Sequence, residues 1–125
     1  MNSRILIAFL FLIIFSLPIA SFEFSVMTLN SQNLFDTIDD KGKDDKAFLP
    51  IELKKSNKHI RSCKNIKVTS WKNECLYLDW DTETKDAKLR NLLTNIIDYD
   101  QKGPDILALQ EVENENILRQ LFVLL

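Results

Sequence analysis

The feature that most constrains this 125-residue chain is a pair of apolar runs, each closed by polar side chains, with an amphipathic segment between them. The first run, 22–29, is apolar at most positions on both of its faces and ends at Asn30. The second run, 106–109, ends at Gln110-Glu111. Strands with two apolar faces are typical of a parallel-sheet interior, and parallel strands need a crossover connection. The pattern therefore predicts a βαβ unit of an α/β fold.

The crossover helix is predicted over residues 84–99. Its leucines and isoleucines recur at i, i+3, i+4, i+7 and i+8, which gives a single apolar stripe. Gly103-Pro104 then ends the connection and introduces the second strand. A further helix is predicted from about Asn114 onwards.

Residues 1–21 are predicted to be a secretory signal peptide. Arg4 and the amino terminus provide positive charge, 5–15 is an unbroken apolar run, and 16–21 contains small residues and a proline. The apolar run is shorter than the ~20 residues of a membrane span. We expect an exported protein, periplasmic or secreted. The alternative is an uncleaved signal that anchors the chain in a membrane.

The charge balance sets no strong requirement for a partner. There are 16 basic and 18 acidic residues, a net charge of -2, so nothing demands nucleic acid. Nucleic acid is not excluded, because a metal-dependent site can bind phosphate without a basic surface. With Gly42 and Gly103 as its only glycines, the chain lacks the glycine-rich phosphate loop of nucleotide-binding domains.

A polar insertion is predicted at about 39–81. Its acidic start does not have the ligand offsets of a calcium-binding loop, so we predict a solvated loop. The basic stretch 54–67 is interpreted as a solvated helix face, with phosphate contact as the alternative. The aromatic residues of 71–80 indicate that the insertion packs back onto the domain, with a nucleic-acid surface as the alternative.

Cys63 and Cys75 are the only cysteines. After export they are predicted to form a disulfide that closes a loop of about a dozen residues, worth ~3 kcal/mol. In a reducing compartment they would remain a thiol pair. Their spacing is not that of a zinc site, and the only histidine, His59, cannot supply the missing ligands.

The polar residues at the strand ends each have two interpretations. Glu111 can stabilise the N-terminus of the following helix, worth ~0.3–1 kcal/mol, or bind a metal ion that offsets the cost of a carboxylate after a buried strand. Asn30 can be a turn former, or it can orient a metal-bound water or a phosphate oxygen. In an open α/β sheet both side chains would converge at the carboxyl ends of the strands.

Two segments around these residues resemble motifs of a known superfamily. Residues 24–36, FSVMTLNSQNLFD, resemble the opening motif of the endonuclease/exonuclease/phosphatase superfamily. Residues 103–114, GPDILALQEVEN, resemble its second motif, a strand that ends in Gln-Glu. The resemblance implies that 22–125 is the N-terminal βαβ portion of a deoxyribonuclease I-like four-layer α/β sandwich.

The resemblance also implies roles for individual residues. Glu111 would be the carboxylate ligand of a catalytic Mg²⁺, or of Mn²⁺ or Ca²⁺, and Asn30 would lie next to the metal and the scissile phosphate. Gln110 would help to orient the metal ligand without binding the metal itself, and Asn33 would belong to the adjoining loop. The implied reaction is phosphoester hydrolysis by an in-line water, with the metal stabilising charge on the phosphate.

The family's remaining catalytic groups are not matched. Its His–Asp base pair, a further Asp/Asn motif and a late acidic residue with a histidine come from the second half of the domain, and His59 matches none of them. The chain also stops within an apolar helical pattern at 121–125. These features predict the front portion of a larger domain.

Two functions are carried forward. The first is an exported Mg²⁺-dependent phosphoesterase or nuclease whose full-length parent hydrolyses phosphodiester or phosphomonoester bonds, while this chain alone is inactive. Its partner would be a phosphoester substrate, nucleic acid among the candidates, with no stable protein partner. The alternative is a short exported binding or structural protein that keeps the βαβ frame without catalysis.

Overall fold

The computed structural model describes residues 22–98 and 101–124, so the predicted signal peptide lies outside the described residues. The described chain is mixed α/β. Its elements follow in the order β1 (Val26–Leu34), a 3-10 helix (Ile51–Lys55), α1 (Asn57–Lys64), α2 (Thr69–Tyr77), α3 (Thr82–Asp98), β2 (Ile106–Val112) and α4 (Glu115–Leu124). Among these residues, no helix combines the length and the apolar character needed to cross a membrane.

The two strands form a parallel sheet, and α3 lies between them in sequence, which confirms the coarse α/β class. The register runs without interruption from Val26 opposite Ile106 to Asn30 opposite Gln110. β1 begins four residues later than predicted and continues to Leu34, well beyond the predicted end. The extension contains the irregular segment that forms the candidate site.

The core lies on one face of this sheet. Its buried residues come from the end of β1 and from the apolar stripes of α3 and α4, namely Leu34, Leu89, Leu92, Ile96, Ile117 and Leu121. Met27 and Leu29 of β1 pack against them, as do inward-facing residues of β2. Both helices therefore cover the same face.

The other face of the sheet is exposed within the described part of the chain. Phe24 is 63% exposed, and Val26 and Ile106 are each about half exposed. The expectation that both strand faces are buried is wrong for the described residues, because α3 and α4 both pack on the opposite side. Two helices and a polar insertion are poor cover for two apolar faces, and the exposed face agrees with that expectation.

Polar side chains fix the beginnings of the two long helices. Asp81 Oδ1 accepts a hydrogen bond from the Thr84 backbone N–H at 2.8 Å, so α3 begins two residues before its predicted start. This bond is the main reason that the pKa of Asp81 is lowered. Asn114 Oδ1 accepts from Ile117 N–H at 3.0 Å and caps α4 in the same way.

The insertion is largely helical, and it contains buried polar anchors. A disulfide between Cys63 and Cys75 joins α1 to α2, with 5.6 Å between the Cα atoms. Lys54 is only 3% exposed, and its ammonium donates to the carbonyl oxygens of three residues, Ala47, Glu74 and Leu78. The interpretation of the basic stretch as a solvated face is therefore wrong for Lys54, and also for the buried His59.

An aromatic contact joins the insertion to the end of β1. The indole N–H of Trp80 donates to the Phe35 carbonyl at 3.1 Å, and its ring meets Phe48 edge to face. Phe48 in turn stacks on Phe35, with 4.1 Å between the ring centroids. Trp71 and Tyr77 are exposed, so the predicted packing of the insertion's aromatic residues onto the domain is realised by Trp80 and not by those two.

Candidate functional site

The candidate site lies where the regular pairing of the two strands ends. Beyond the pair Asn30–Gln110, the next paired residues are Leu34 and Val112, so β1 uses three residues where β2 uses one. This is a bulge, and three of its residues have left-handed backbone conformations: Gln32 (φ 51°), Asn33 (φ 64°) and Glu111 (φ 58°). Such conformations are unfavourable for residues other than glycine and concentrate at functional sites.

The left-handed backbone changes the direction of Glu111. Along β2, Leu107 and Leu109 face the core, and simple alternation would send Glu111 to the same side. Instead Glu111 is exposed and Val112 packs on the core. The bulge therefore presents a carboxylate at the carboxyl end of the sheet without burying it.

The carboxylate of Glu111 is held by both strands. Asn30 Nδ2 donates to Oε1 at 2.8 Å, and the Asn33 backbone N–H donates to Oε2 at 3.1 Å. Asn30 is itself oriented, because its Oδ1 accepts from the Gln32 N–H at 2.7 Å. An ionised carboxylate offers about four acceptor positions, so two hydrogen bonds leave capacity for an ion. Three of the residues predicted for the site (Asn30, Asn33 and Glu111) are thus in direct contact.

Gln110 contributes differently from the expectation. Its side chain is exposed and makes no hydrogen bond to any residue of 22–98 or 101–124. Its backbone carbonyl, by contrast, accepts from the Ser31 hydroxyl. The structure therefore gives Gln110 a backbone contact and no side-chain contact with Glu111.

Ser31 is a site residue that the sequence reasoning missed. It is fully buried, and its hydroxyl lies 2.5 Å from the Gln110 carbonyl and 3.1 Å from that of Glu111. The alternation of side chains along a strand could have identified it, because Ser31 follows Met27 and Leu29 on the core-facing side of β1. Lys88 of α3 supports the same bulge, since its ammonium donates to the Gln32 carbonyl at 2.9 Å.

As a metal site this arrangement is sparse. Within the described part of the chain, Glu111 does not belong to any group of three acidic, histidine or cysteine side chains within reach of one ion. One carboxylate with an adjacent amide is a small ligand set for a divalent cation, because most coordination positions would be left to water. The donor set does not select Mg²⁺ over other divalent ions, and it would provide only part of a metal site.

A second acidic cluster lies just beyond Glu111. Carboxylate oxygens of Asp40, Asp45 and Glu113 all lie within 4.8 Å of one another. Burial, with Asp36 and the two other aspartates nearby, raises the pKa of Glu113 to about 7, although the Asp36 N–H that it accepts opposes this. Asp45 is 1% exposed, so the prediction of a solvated loop is wrong there.

Comparisons with known proteins add no family assignment. No protein-family model, no curated protein and no solved structure matches this chain. The superfamily resemblance stays a prediction that depends on the two motifs and on the contacts between their residues.

Proposed function

We propose that this chain forms the metal-binding edge of an exported, Mg²⁺-dependent phosphoesterase with a deoxyribonuclease I-like four-layer sandwich. The observation that carries the proposal is the 2.8 Å hydrogen bond from Asn30 to Glu111 across the carboxyl ends of two parallel strands. These residues are 81 positions apart in the chain. They are also the two residues to which the motif resemblance assigns catalysis and metal binding.

The residues divide the work in this proposal. Glu111 would hold the Mg²⁺, which when bound supplies positive charge for the phosphate and a more acidic water. Asn30 fixes one carboxylate oxygen, and the Asn33 N–H fixes the other, so the ligand is oriented before the ion binds. The strained bulge supports this interpretation, because backbone strain of this kind persists where the surrounding structure enforces it.

A general base is the missing part. The only histidine, His59, lies in the insertion with its Nε2 2.9 Å from the Cys75 carbonyl and 3.1 Å from the Cys63 sulfur. It makes no contact with Glu111. We therefore expect no phosphoester hydrolysis by the 125-residue chain alone, and we assign the activity to a parent that supplies the base.

Metal binding tests the proposal independently of activity. We expect Mn²⁺ added to the ¹⁵N-labelled chain to broaden selectively the amide resonances of 30–33 and 110–112. The test is made in the Asp45→Asn background, because Mn²⁺ at the neighbouring acidic cluster would also broaden these amides. In that background the broadening should persist, Glu111→Gln should abolish it, and Glu115→Gln, at an exposed glutamate paired with Arg119, should leave it intact. Broadening that survives Glu111→Gln in this background would overturn the assignment.

The encoding DNA tests the catalytic half of the proposal. Sequencing beyond codon 125, in all frames, should reveal an Asp-His pair and a further Asp-x-Asn motif. A genuine stop with nothing of the kind beyond it would contradict catalysis. It would favour the second candidate, a short exported binding or structural protein, which is also supported by the exposed apolar side chains of Phe24, Val26 and Ile106.

A further inference from the structure

The strongest unassigned feature is the group of carboxylates between the loop after β1 and the start of α4. Asp40 and Asp45 come from the insertion, and Glu113 comes from the residue that follows β2. Their carboxylate oxygens lie within 4.8 Å of one another. Glu113 shares no hydrogen-bond partner with Glu111, whose carboxylate is held by Asn30 and Asn33. Glu111 is also not one of the carboxylates whose oxygens lie within 4.8 Å of one another, so the acidic group does not include the strand-end ligand.

Two oxygens in this group are buried without a partner. Asp45 is 99% buried, and its Oδ1 has no hydrogen bond to any described residue, while its Oδ2 accepts from the Asp40 N–H at 2.7 Å. Glu113 repeats the pattern, with Oε1 buried and unpartnered and Oε2 bonded to the Asp36 N–H at 2.9 Å. Burying a carboxylate oxygen without a partner is costly. Each of these carboxylates thus has one oxygen fixed by the backbone and one available for a ligand.

These carboxylates are not compensated by an ion pair within the described part of the chain. No Lys or Arg in 22–98 or 101–124 lies within ion-pair distance of Asp40, Asp45 or Glu113, and the nearby Lys46 pairs with the exposed Asp44. The surrounding donors are neutral amides. Asn114 Nδ2 lies 3.1 Å from both Asp36 and Asp40, and it orients these carboxylates without neutralising them.

We propose that Asp40, Asp45 and Glu113 bind a structural Ca²⁺ that joins the insertion to the end of β2. Calcium takes 6–8 oxygen ligands at about 2.3–2.6 Å in flexible geometry, so two of its ligands are at most about 5 Å apart. Three oxygens within 4.8 Å of one another match that span. Magnesium demands closer and more regular coordination and is rarely held by protein carboxylates alone. The offsets within the loop do not fit a calcium-binding loop, but a site completed by Glu113 does not depend on those offsets.

The test is calorimetric titration of the 125-residue chain with CaCl₂, together with thermal unfolding in EDTA and in excess Ca²⁺. We expect one equivalent of Ca²⁺ to bind and to raise the melting temperature, and Mg²⁺ to bind at least tenfold more weakly. The readout does not depend on any enzymatic activity.

Matched variants locate the ion. Asp45→Asn should weaken Ca²⁺ binding at least tenfold, whereas Asp44→Asn, at the neighbouring exposed aspartate, should leave it unchanged. In EDTA, Asp45→Asn should melt at or above the wild-type temperature, because it removes an unpartnered buried charge. That result would show that the loss of binding is not a loss of folding, and Glu113→Gln provides a second variant of the same kind.

Three results would contradict the Ca²⁺ site. If Ca²⁺ neither binds nor raises the melting temperature at about 10 mM, well above the ~0.1–1 mM dissociation constants of weak extracellular calcium sites, the inference is wrong. It is also wrong if Asp45→Asn and Glu113→Gln bind Ca²⁺ as the wild type does. Loss of Ca²⁺ binding in Glu111→Gln with retention in Asp45→Asn would place the ion at the strand ends instead. That outcome would overturn the inference while leaving the proposed function standing.

Discussion

The βαβ half of the chain and the insertion are stabilised by different means. The half formed by β1, α3, β2 and α4 buries six aliphatic residues in one cluster. The insertion buries Leu49 and Trp80, and its other fixed points are a disulfide and the Lys54 ammonium bound to three carbonyls. Small units that cannot build a large core commonly depend on such crosslinks.

This difference predicts which perturbations destabilise each half. In the βαβ half, stability comes from apolar packing, which is sensitive to the loss of volume but not to pH or redox state. In the insertion, stability comes from a disulfide and from a titratable ammonium group. Reducing agents and changes of pH should therefore destabilise the insertion before the βαβ half. The predictions below follow this contrast, from the largest expected effect to the smallest.

The largest effect is expected in the aliphatic cluster. Ile117 is fully buried, and Ile117→Ala should lower the free energy of unfolding by about 3–4 kcal/mol, through lost burial and the cavity left behind. Val123 on the same helix is 85% exposed, so Val123→Ala should change it by less than about 0.5 kcal/mol. Urea denaturation of both variants measures the difference, and equal effects would contradict the location of the core.

Removing the disulfide should have a smaller and more local effect. The Cys63→Ser/Cys75→Ser double variant should lose about 3 kcal/mol, because the unfolded insertion gains freedom. Amide hydrogen exchange should show lost protection in α1 and α2, with α3 still protected. Equal loss of protection in all three helices would break the comparison and show one cooperative unit.

Lys54 should make the stability of the insertion depend on pH. Burial, opposed by the Asp79 carboxylate, lowers the pKa of Lys54 to about 8 from its ordinary value of 10.5. The folded chain therefore binds this proton less tightly than the unfolded chain, and stability should rise with pH between these two values. From pH 7.5 to 9.5 we expect a gain of about 2 kcal/mol, measured by urea denaturation against Lys54→Met as the reference.

If the free energy of unfolding of Lys54→Met rises with pH as much as that of the wild type, the pH dependence comes from other groups. A fall in the wild type relative to that variant would show that the three carbonyl contacts hold the ammonium more strongly than burial disfavours it.

The smallest effect is expected at the hydroxyl under the bulge. Ser31→Ala should cost about 1–2 kcal/mol, because the carbonyl oxygens of Gln110 and Glu111 lose the hydroxyl donor that they share beneath the bulge. Ser70→Ala, at an exposed position on α2, is the control and should be near neutral. If Ser31→Ala also weakens the Mn²⁺ broadening near Glu111, the hydroxyl positions the ligand as well as stabilising the bulge.

Strong periodicity made the frame of the fold predictable. The stripe through Leu89, Leu92 and Ile96 and the two apolar runs predicted α3, the two strands and their order, because these patterns have few other solutions. The strand limits were less accurate, because β1 continues through residues that read as a polar loop. The exposed sheet face agrees with the expectation that two helices and a polar insertion are poor cover for two apolar strand faces.

The contacts within the candidate site were only partly predictable. Asn30 and Glu111 were identified because each closes a strand, and parallel strands bring their ends together. The role of Ser31 was harder to predict, because a single serine in the sequence does not indicate which carbonyl oxygens its hydroxyl contacts. The partnership of Asp45 with Glu113 joins segments 68 positions apart, and no local spacing rule reaches that far.

The backbone conformation of Glu111 opposes stability to the ion-binding role that we propose for its side chain. At φ 58°, a glycine would relieve steric strain and an asparagine would tolerate it, so selection for stability alone would favour either of them over glutamate. Glycine would also remove the acceptor that joins Asn30 to Asn33. If Glu111 holds the proposed ion, the residue at this position should distinguish, among chains that share this bulge, those that keep the ligand from those that keep only the scaffold.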